Sequence, residues 1–249
     1  MTARDEDRAR ALYAERDADA EWAARWSADN PVARFAAEGR LRGLRALLPD
    51  LTARFGPPSG WRVLEAGVGS GGLLPWLRDE AGVPEDRLAG IDLSGDRILA
   101  AARALPRADV RPGSAAELPW PSASFEIVVA STLFSSVLDP DLRSRIAGEC
   151  LRVLAPGGVV LWYDMRDDFL LAGVFRRLAK PAEDWLGRGE IARLFPGCTL
   201  RLRRATLFLP LARPLLSVSP ALARAAEAVK PFLRGHYLGL VIKPGGDVG

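Results

Sequence analysis

Cysteine, histidine and lysine are nearly absent from this chain of 249 residues. Cys150 and Cys198 are too few for a disulfide scaffold, and nothing around them has metal-ligand spacing. With His236 the sole histidine, a Cys/His zinc site is not expected. Lys180, Lys230 and Lys243 are the only lysines among 34 basic residues, the rest being arginine. Those bases are dispersed among 31 acidic residues, leave a net charge of +3 and form no basic block, which argues against a dedicated nucleic-acid binder. No uninterrupted apolar run reaches the roughly 18 residues of a spanning helix. The charged start, Arg4-Asp5-Glu6-Asp7-Arg8, cannot form the apolar part of a signal peptide, so the expected location is the cytoplasm.

What the chain has is apolar content, 49% of its residues, which suits a folded domain with a substantial core. Residues 3 to about 54 read as helical, broken at Asn30-Pro31 and closed by the turn cluster Gly56-Pro57-Pro58-Ser59-Gly60. From Trp61 onward, short apolar runs alternate with helical segments. Strands are predicted at Arg62–Ala66, Leu88–Leu93, Asp109–Pro112, Phe125–Ser131 and Val159–Met165, with helices between them. Thr199–Phe208 and Gly235–Lys243 read as two further strands, an antiparallel pair at the sheet edge. The expected fold is α/β: a doubly wound, Rossmann-like, seven-stranded sheet, mostly parallel with one antiparallel edge strand, plus N-terminal helices. The expected division is a helical cap over 1–56 and a main domain over 57–249, with an insertion at about 209–234.

The densest cluster of signals is Glu65-Ala66-Gly67-Val68-Gly69-Ser70-Gly71-Gly72. A strand ends in an acid, glycines allow a tight turn and close approach of a ligand, and a helix follows. Gly67, Gly69 and Gly72 alone satisfy the spacing of a dinucleotide fingerprint, which leaves a nicotinamide-dependent oxidoreductase open. Glu65 argues against it, because an acid there repels a pyrophosphate and welcomes an ammonium group. Asp92, in Gly90-Ile91-Asp92-Leu93-Ser94, can accept both hydroxyl hydrogens of a ribose, or simply cap a helix.

With these residues in order, the sequence resembles the class I S-adenosylmethionine-dependent methyltransferases, of the small-molecule, type 11-like kind. The likeness extends through Gly113-Ser114-Ala115-Ala116-Glu117, the strand Phe125–Val129, and Glu149 to Gly158. It implies S-adenosyl-L-methionine as cofactor. Glu65 would orient the methionine amino group, with Gly67, Gly69 and Gly71 against the methionine portion. Asp92 would hold the ribose diol and Leu93 would pack on adenine. Ser114 and Ala115 would face the adenine edge, and Ser131 and Phe134 would neighbour the cofactor. Ser114 departs from the acid found there in many relatives.

The implied reaction is methyl transfer to a small molecule, with an oxygen of an apolar metabolite or sugar as acceptor and no metal. Asp164, Tyr163 and His236 are the candidates on the acceptor side, His236 as proton acceptor. Each has an ordinary alternative: Asp164 as a turn or cap residue, Tyr163 as packing, and His236 as a structural or surface residue. Trp22, Trp26 and Phe35 read either as an aromatic lid or as a packed helical stripe. The insertion reads either as the wall of an apolar acceptor pocket or as core, or else as a contact with a membrane surface or a partner, its prolines arguing against one long interfacial helix. A scaffold that keeps the fold without turnover is the remaining alternative.

Overall fold

The computed structural model describes residues 19–25, 27, 29–69, 73–168, 172–173 and 184–245, with backbone only at 21–23. In chain order the elements are α1 (Ala20–Arg25), α2 (Pro31–Arg45), α3 (Leu48–Phe55), β1 (Val63–Ala66), α4 (Leu73–Asp79), β2 (Leu88–Asp92), α5 (Gly95–Ala104), β3 (Asp109–Pro112), β4 (Phe125–Ser131), α6 (Pro140–Val153), β5 (Leu154–Met165), α7 (Arg188–Leu194), β6 (Thr199–Leu207), α8 (Leu209–Val218), α9 (Pro220–Val229) and β7 (Arg234–Ile242). The strand order is β3-β2-β1-β4-β5-β7-β6. Strands β1 to β5 pair in parallel, while β7 runs antiparallel to both β5 and β6. The antiparallel pair therefore closes the sheet, with the reversed β7 one place in from the margin and β6 outside it. This is the expected doubly wound α/β sheet.

Helix starts follow one local rule. Asn30, Asp139 and Ser219 each precede a proline, and each side chain accepts an amide of the first turn: Val32, Leu142 and Ala221 at 2.9, 2.7 and 3.2 Å. Proline costs nothing there, since a first-turn N–H has no helical partner. The same rule organises the insertion. Pro210 and Pro220 open two short helices, α8 and α9, so the prolines shape a helical hairpin.

The sheet separates two cores. On one face, Leu64, Val128, Val160 and Trp162 pack against Ile146 and Cys150 of α6 and Ile191 of α7. On the other, Val63, Val129, Leu161 and Leu240 pack against Leu44, Leu51, Leu74 and Ile98 from α2, α3, α4 and α5. Side chains alternate along a strand, so each strand feeds both cores. Phe35 does not line a lid. It is buried with Leu207, Ala212 and Ala223, under the inner side of the α8–α9 hairpin. Trp26 and the side chain of Trp22, the other members of that expected lid, lie outside the described residues.

Candidate functional site

The chain order reverses between β1 and β4, the place where open α/β sheets leave a crevice beyond their strand ends. Glu65, Ser131 and Tyr163 come together there on one face. Glu65 lies beside Val129, Ser131 is two residues further along the same strand, and Ser131 pairs with Tyr163.

The glycine turn is tied to β2. The amides of Gly67 and Val68 both donate to the Ile91 carbonyl, and the Gly69 amide donates to Asp92 Oδ2 at 2.7 Å. Gly67 and Gly69 have φ of 76° and 58°, left-handed values that favour glycine. Asp92 Oδ1 accepts from the Ser94 amide at 2.9 Å. A carboxylate has about four acceptor positions, so two remain for a ligand diol. The Gly113 amide donates to the Asp92 carbonyl, which brings Ser114 and Ala115 alongside. Ser114 Oγ accepts from the Ala116 amide at 3.2 Å, leaving its own hydrogen to donate. Leu93 is half-buried. Gly71, with Ser70 and Gly72, lies outside the described residues.

Glu65 is only 2% exposed. The amide of Leu74 bonds its carboxyl group, while Oε2 is buried with no partner. Burial pushes the carboxyl up to about 8, the Arg40 charge pulls it down, and Asp92 adds to the rise. A buried acid with one open oxygen beside a glycine turn fits an ammonium group, as a bound methionine moiety would supply. The glycine turn and the free positions on Asp92 fit the rest of S-adenosylmethionine.

The acceptor-side candidates divide. Tyr163 and His236, both 4% exposed, stack with ring centroids 4.7 Å apart and planes 9° from parallel. The Tyr163 hydroxyl donates to Thr206 Oγ1 at 3.0 Å, and the Thr206 backbone bonds the His236 ring. Burial lifts the tyrosine to about 12 and lowers the histidine to about 3. His236 is therefore neutral, with Nδ1 buried and unpartnered.

Asp164 does not join them. One residue along from Tyr163, it faces the other side of the sheet and is fully buried. Its Oδ2 accepts the amides of Phe134 and Ser135 at 2.9 and 3.1 Å, and its Oδ1 accepts that of Met165 at 2.8 Å. The carboxylate fastens the loop after β4, so the expectation of an acceptor-side group is corrected to its alternative, a turn-holding acid. Phe134 is corrected likewise: its ring is fully buried and stacks on Trp162 at 4.8 Å in the opposite core. Leu133 instead reaches the glycine turn, since a Cβ on Gly67 would come within 3.1 Å of Leu133 Cδ1.

Sequence reasoning missed Arg40. This side chain descends from α2, and its Nη1 donates to Ser131 Oγ at 3.0 Å, while its Nε is buried without a partner. Its charge bears on Glu65, Tyr163 and His236. Two glycines allow this approach. A Cβ on Gly39 would stand 3.1 Å from Thr206 Oγ1, and one on Gly43 would stand 2.3 Å from Leu238 Cδ2. Glycines four apart inside a helix were the available signal, because they weaken a helix unless something packs closely on it.

Comparison with known proteins agrees with this geometry. Residues 63–158 match the family model described as a methyltransferase domain. A probable S-adenosylmethionine-dependent methyltransferase of Mycolicibacterium smegmatis is 37% identical over 103 residues, covering 41% of this chain and 37% of that protein. A phosphatidylethanolamine N-methyltransferase of Cereibacter sphaeroides is 35% identical over 129 residues, covering 49% of this chain and 60% of that protein. The chain thus matches less than two thirds of the length of either relative. Among solved structures, an S-adenosylmethionine-dependent methyltransferase of Thermotoga maritima superposes with a TM-score of 0.56 at 21% identity, covering 80% of this chain and 84% of that one. At that identity the likeness concerns the fold alone. The matched family model, the two relatives and the acid–glycine–acid crevice agree: residues 63–158 match a methyltransferase domain, and this part of the chain is similar to S-adenosylmethionine-dependent methyltransferases.

Proposed function

We propose that this protein transfers the methyl group of S-adenosylmethionine to a small-molecule acceptor, an oxygen of an apolar metabolite or sugar. The observation that carries the reading is the buried, unpartnered Oε2 of Glu65 at the end of β1. The cofactor supplies an electrophilic methyl group on a sulfonium. In this reading Glu65 binds the amino group, Asp92 takes the ribose diol with Leu93 against adenine, and Ser114 and Ala115 meet the adenine edge. Gly67, Gly69 and Gly71 admit the methionine portion. Ser131 accepts from Arg40, so its own hydrogen is free to donate to the ligand.

Displacement at a sulfonium methyl needs alignment and exclusion of water more than strong acid–base chemistry. The buried group Tyr163, His236 and Thr206, beside Arg40, suits that task. Tyr163 fixes the imidazole plane by stacking, and His236 Nδ1 is the open acceptor for a hydroxyl hydrogen. A neutral imidazole of low basicity is sufficient, because an oxygen becomes strongly acidic as it gains the methyl group, and its proton passes to Nδ1 late in the step. Asp164 acts as a positioning residue through the loop after β4. The reach of Arg40 from α2 to Ser131 supports treating residues 1–56 as a cap over a domain spanning 57–249.

Calorimetric titration of the purified chain tests the reading. S-adenosylmethionine and S-adenosylhomocysteine should bind with micromolar affinity, a nicotinamide dinucleotide should not, and Asp92→Ala should abolish binding while the protein stays folded. Binding of the dinucleotide alone would overturn the proposal in favour of an oxidoreductase.

A further inference from the structure

Four of the six exposed large apolar side chains among the described residues lie within fifteen positions of the α8–α9 hairpin and its exit: Val218 at 75%, Leu222 at 48%, Val229 at 68% and Phe232 at 42%. On α9 the inner side is Ala223, buried with Phe35 and Leu207. The outer side presents Ala221, Leu222, Ala225, Ala228 and Val229, interrupted only by Arg224. An amphipathic helix whose second face is also apolar is partnered on one side and unpartnered on the other.

Charge identifies the partner. Between positions 209 and 234 the bases are Arg213, Arg224, Lys230 and Arg234, and the sole acid is Glu227. Glu227 turns inward, where it accepts from Arg42 Nη2 at 2.7 Å and from the Leu207 amide at 3.2 Å. Arg213, Arg224 and Lys230 are exposed and have no acidic partner among the described residues. Lys230 lies over the Phe232 ring at 6.0 Å, an arrangement in which the ring can enter an apolar layer while the ammonium stays at its charged edge. A second copy of the chain pairing through this face would bring the same bases together.

We infer that the outer face of the α8–α9 hairpin docks on the surface of an anionic lipid bilayer. Leu222, Val229, Val218 and Phe232 enter the acyl boundary, and Arg213, Arg224 and Lys230 meet the lipid phosphates. No described helix is long and apolar enough to cross a membrane, so the contact is peripheral. Glu227 also joins the hairpin to α2 through Arg42, two residues from Arg40.

The test is flotation of the full chain with vesicles of phosphatidylcholine alone or mixed with phosphatidylglycerol, which requires no activity. The protein should float with the anionic vesicles and not the neutral ones, and high salt should release it. Arg224→Gln should weaken partition about fivefold. Leu222→Asp combined with Val229→Asp should abolish it, with melting temperature and cofactor binding unchanged because both side chains are exposed. Failure to float with anionic vesicles, or undiminished flotation of the double variant, would overturn the inference. A dimer, seen by light scattering, that the double variant dissociates would assign the face to a second copy instead.

Discussion

Tyr163 and His236 come from strands β5 and β7, 73 positions apart in the chain, yet their rings lie 4.7 Å apart and almost parallel, both bonded to Thr206 on β6. Three adjacent strands thus fix one imidazole. With Nδ1 its one open polar atom, the histidine is oriented before any acceptor arrives.

His236→Ala should lower turnover about a hundredfold, the range of a lost proton acceptor, with little change in cofactor affinity. Steady-state kinetics on the true acceptor, with calorimetry of the cofactor, checks this. Undiminished turnover would leave His236 a packing residue only. Tyr163→Phe keeps the stack and loses the bond to Thr206. It should cost about 1 kcal/mol of stability, readable by chemical denaturation.

Glu65 makes stability depend on pH. Its folded carboxyl stands at about 8 against an ordinary 4.5, so between these values the folded chain holds a proton that the unfolded chain has released. This contribution is full below about pH 4.5 and is lost as pH rises through about 8. Glu65→Gln should therefore gain stability relative to the parent as pH rises across that window, followed by urea denaturation at several pH values. An identical pH dependence in both proteins would contradict the assignment.

Binding an ammonium group beside Glu65 favours the ionised carboxylate, so cofactor binding near neutrality should release a proton. Calorimetry in buffers of different ionisation enthalpy measures it. Arg40 lowers the Glu65 pKa, so Arg40→Gln should move this proton release to higher pH. An unmoved midpoint would mean that Arg40 does not act on the acid.

Asp164→Asn keeps the volume and removes the charge that three amides share. The loss should be about 2 kcal/mol or more, because charge-assisted bonds to the Phe134 and Ser135 amides are weakened in a fully buried place. Denaturation midpoints would report it. Cleavage by added protease should also rise in the loop after β4. A variant as stable as the parent would return Asp164 to the list of acceptor-side groups.

The amino-acid sequence by itself determined whatever depends on near neighbours. Strands such as Ile127-Val128-Val129, the cap-and-proline start at Asn30, and the turn from Glu65 to Gly69 are set by local sterics and hydrogen bonds, and they were legible in order. Only the tertiary structure decided which face each of these side chains takes. Adjacent residues on a strand face opposite ways, so Tyr163 lies on the face of Glu65 and Ser131 while Asp164 faces the opposite core, and nothing local says which residue takes which face. Arg40 meets Ser131 across 91 positions because Gly39 and Gly43 let a helix settle on β6 and β7. The role of the insertion was divided in the same way. Its prolines fixed two short helices, but which apolar side chains became core and which stayed outside was set by where Phe35 and Leu207 had already filled the space beneath.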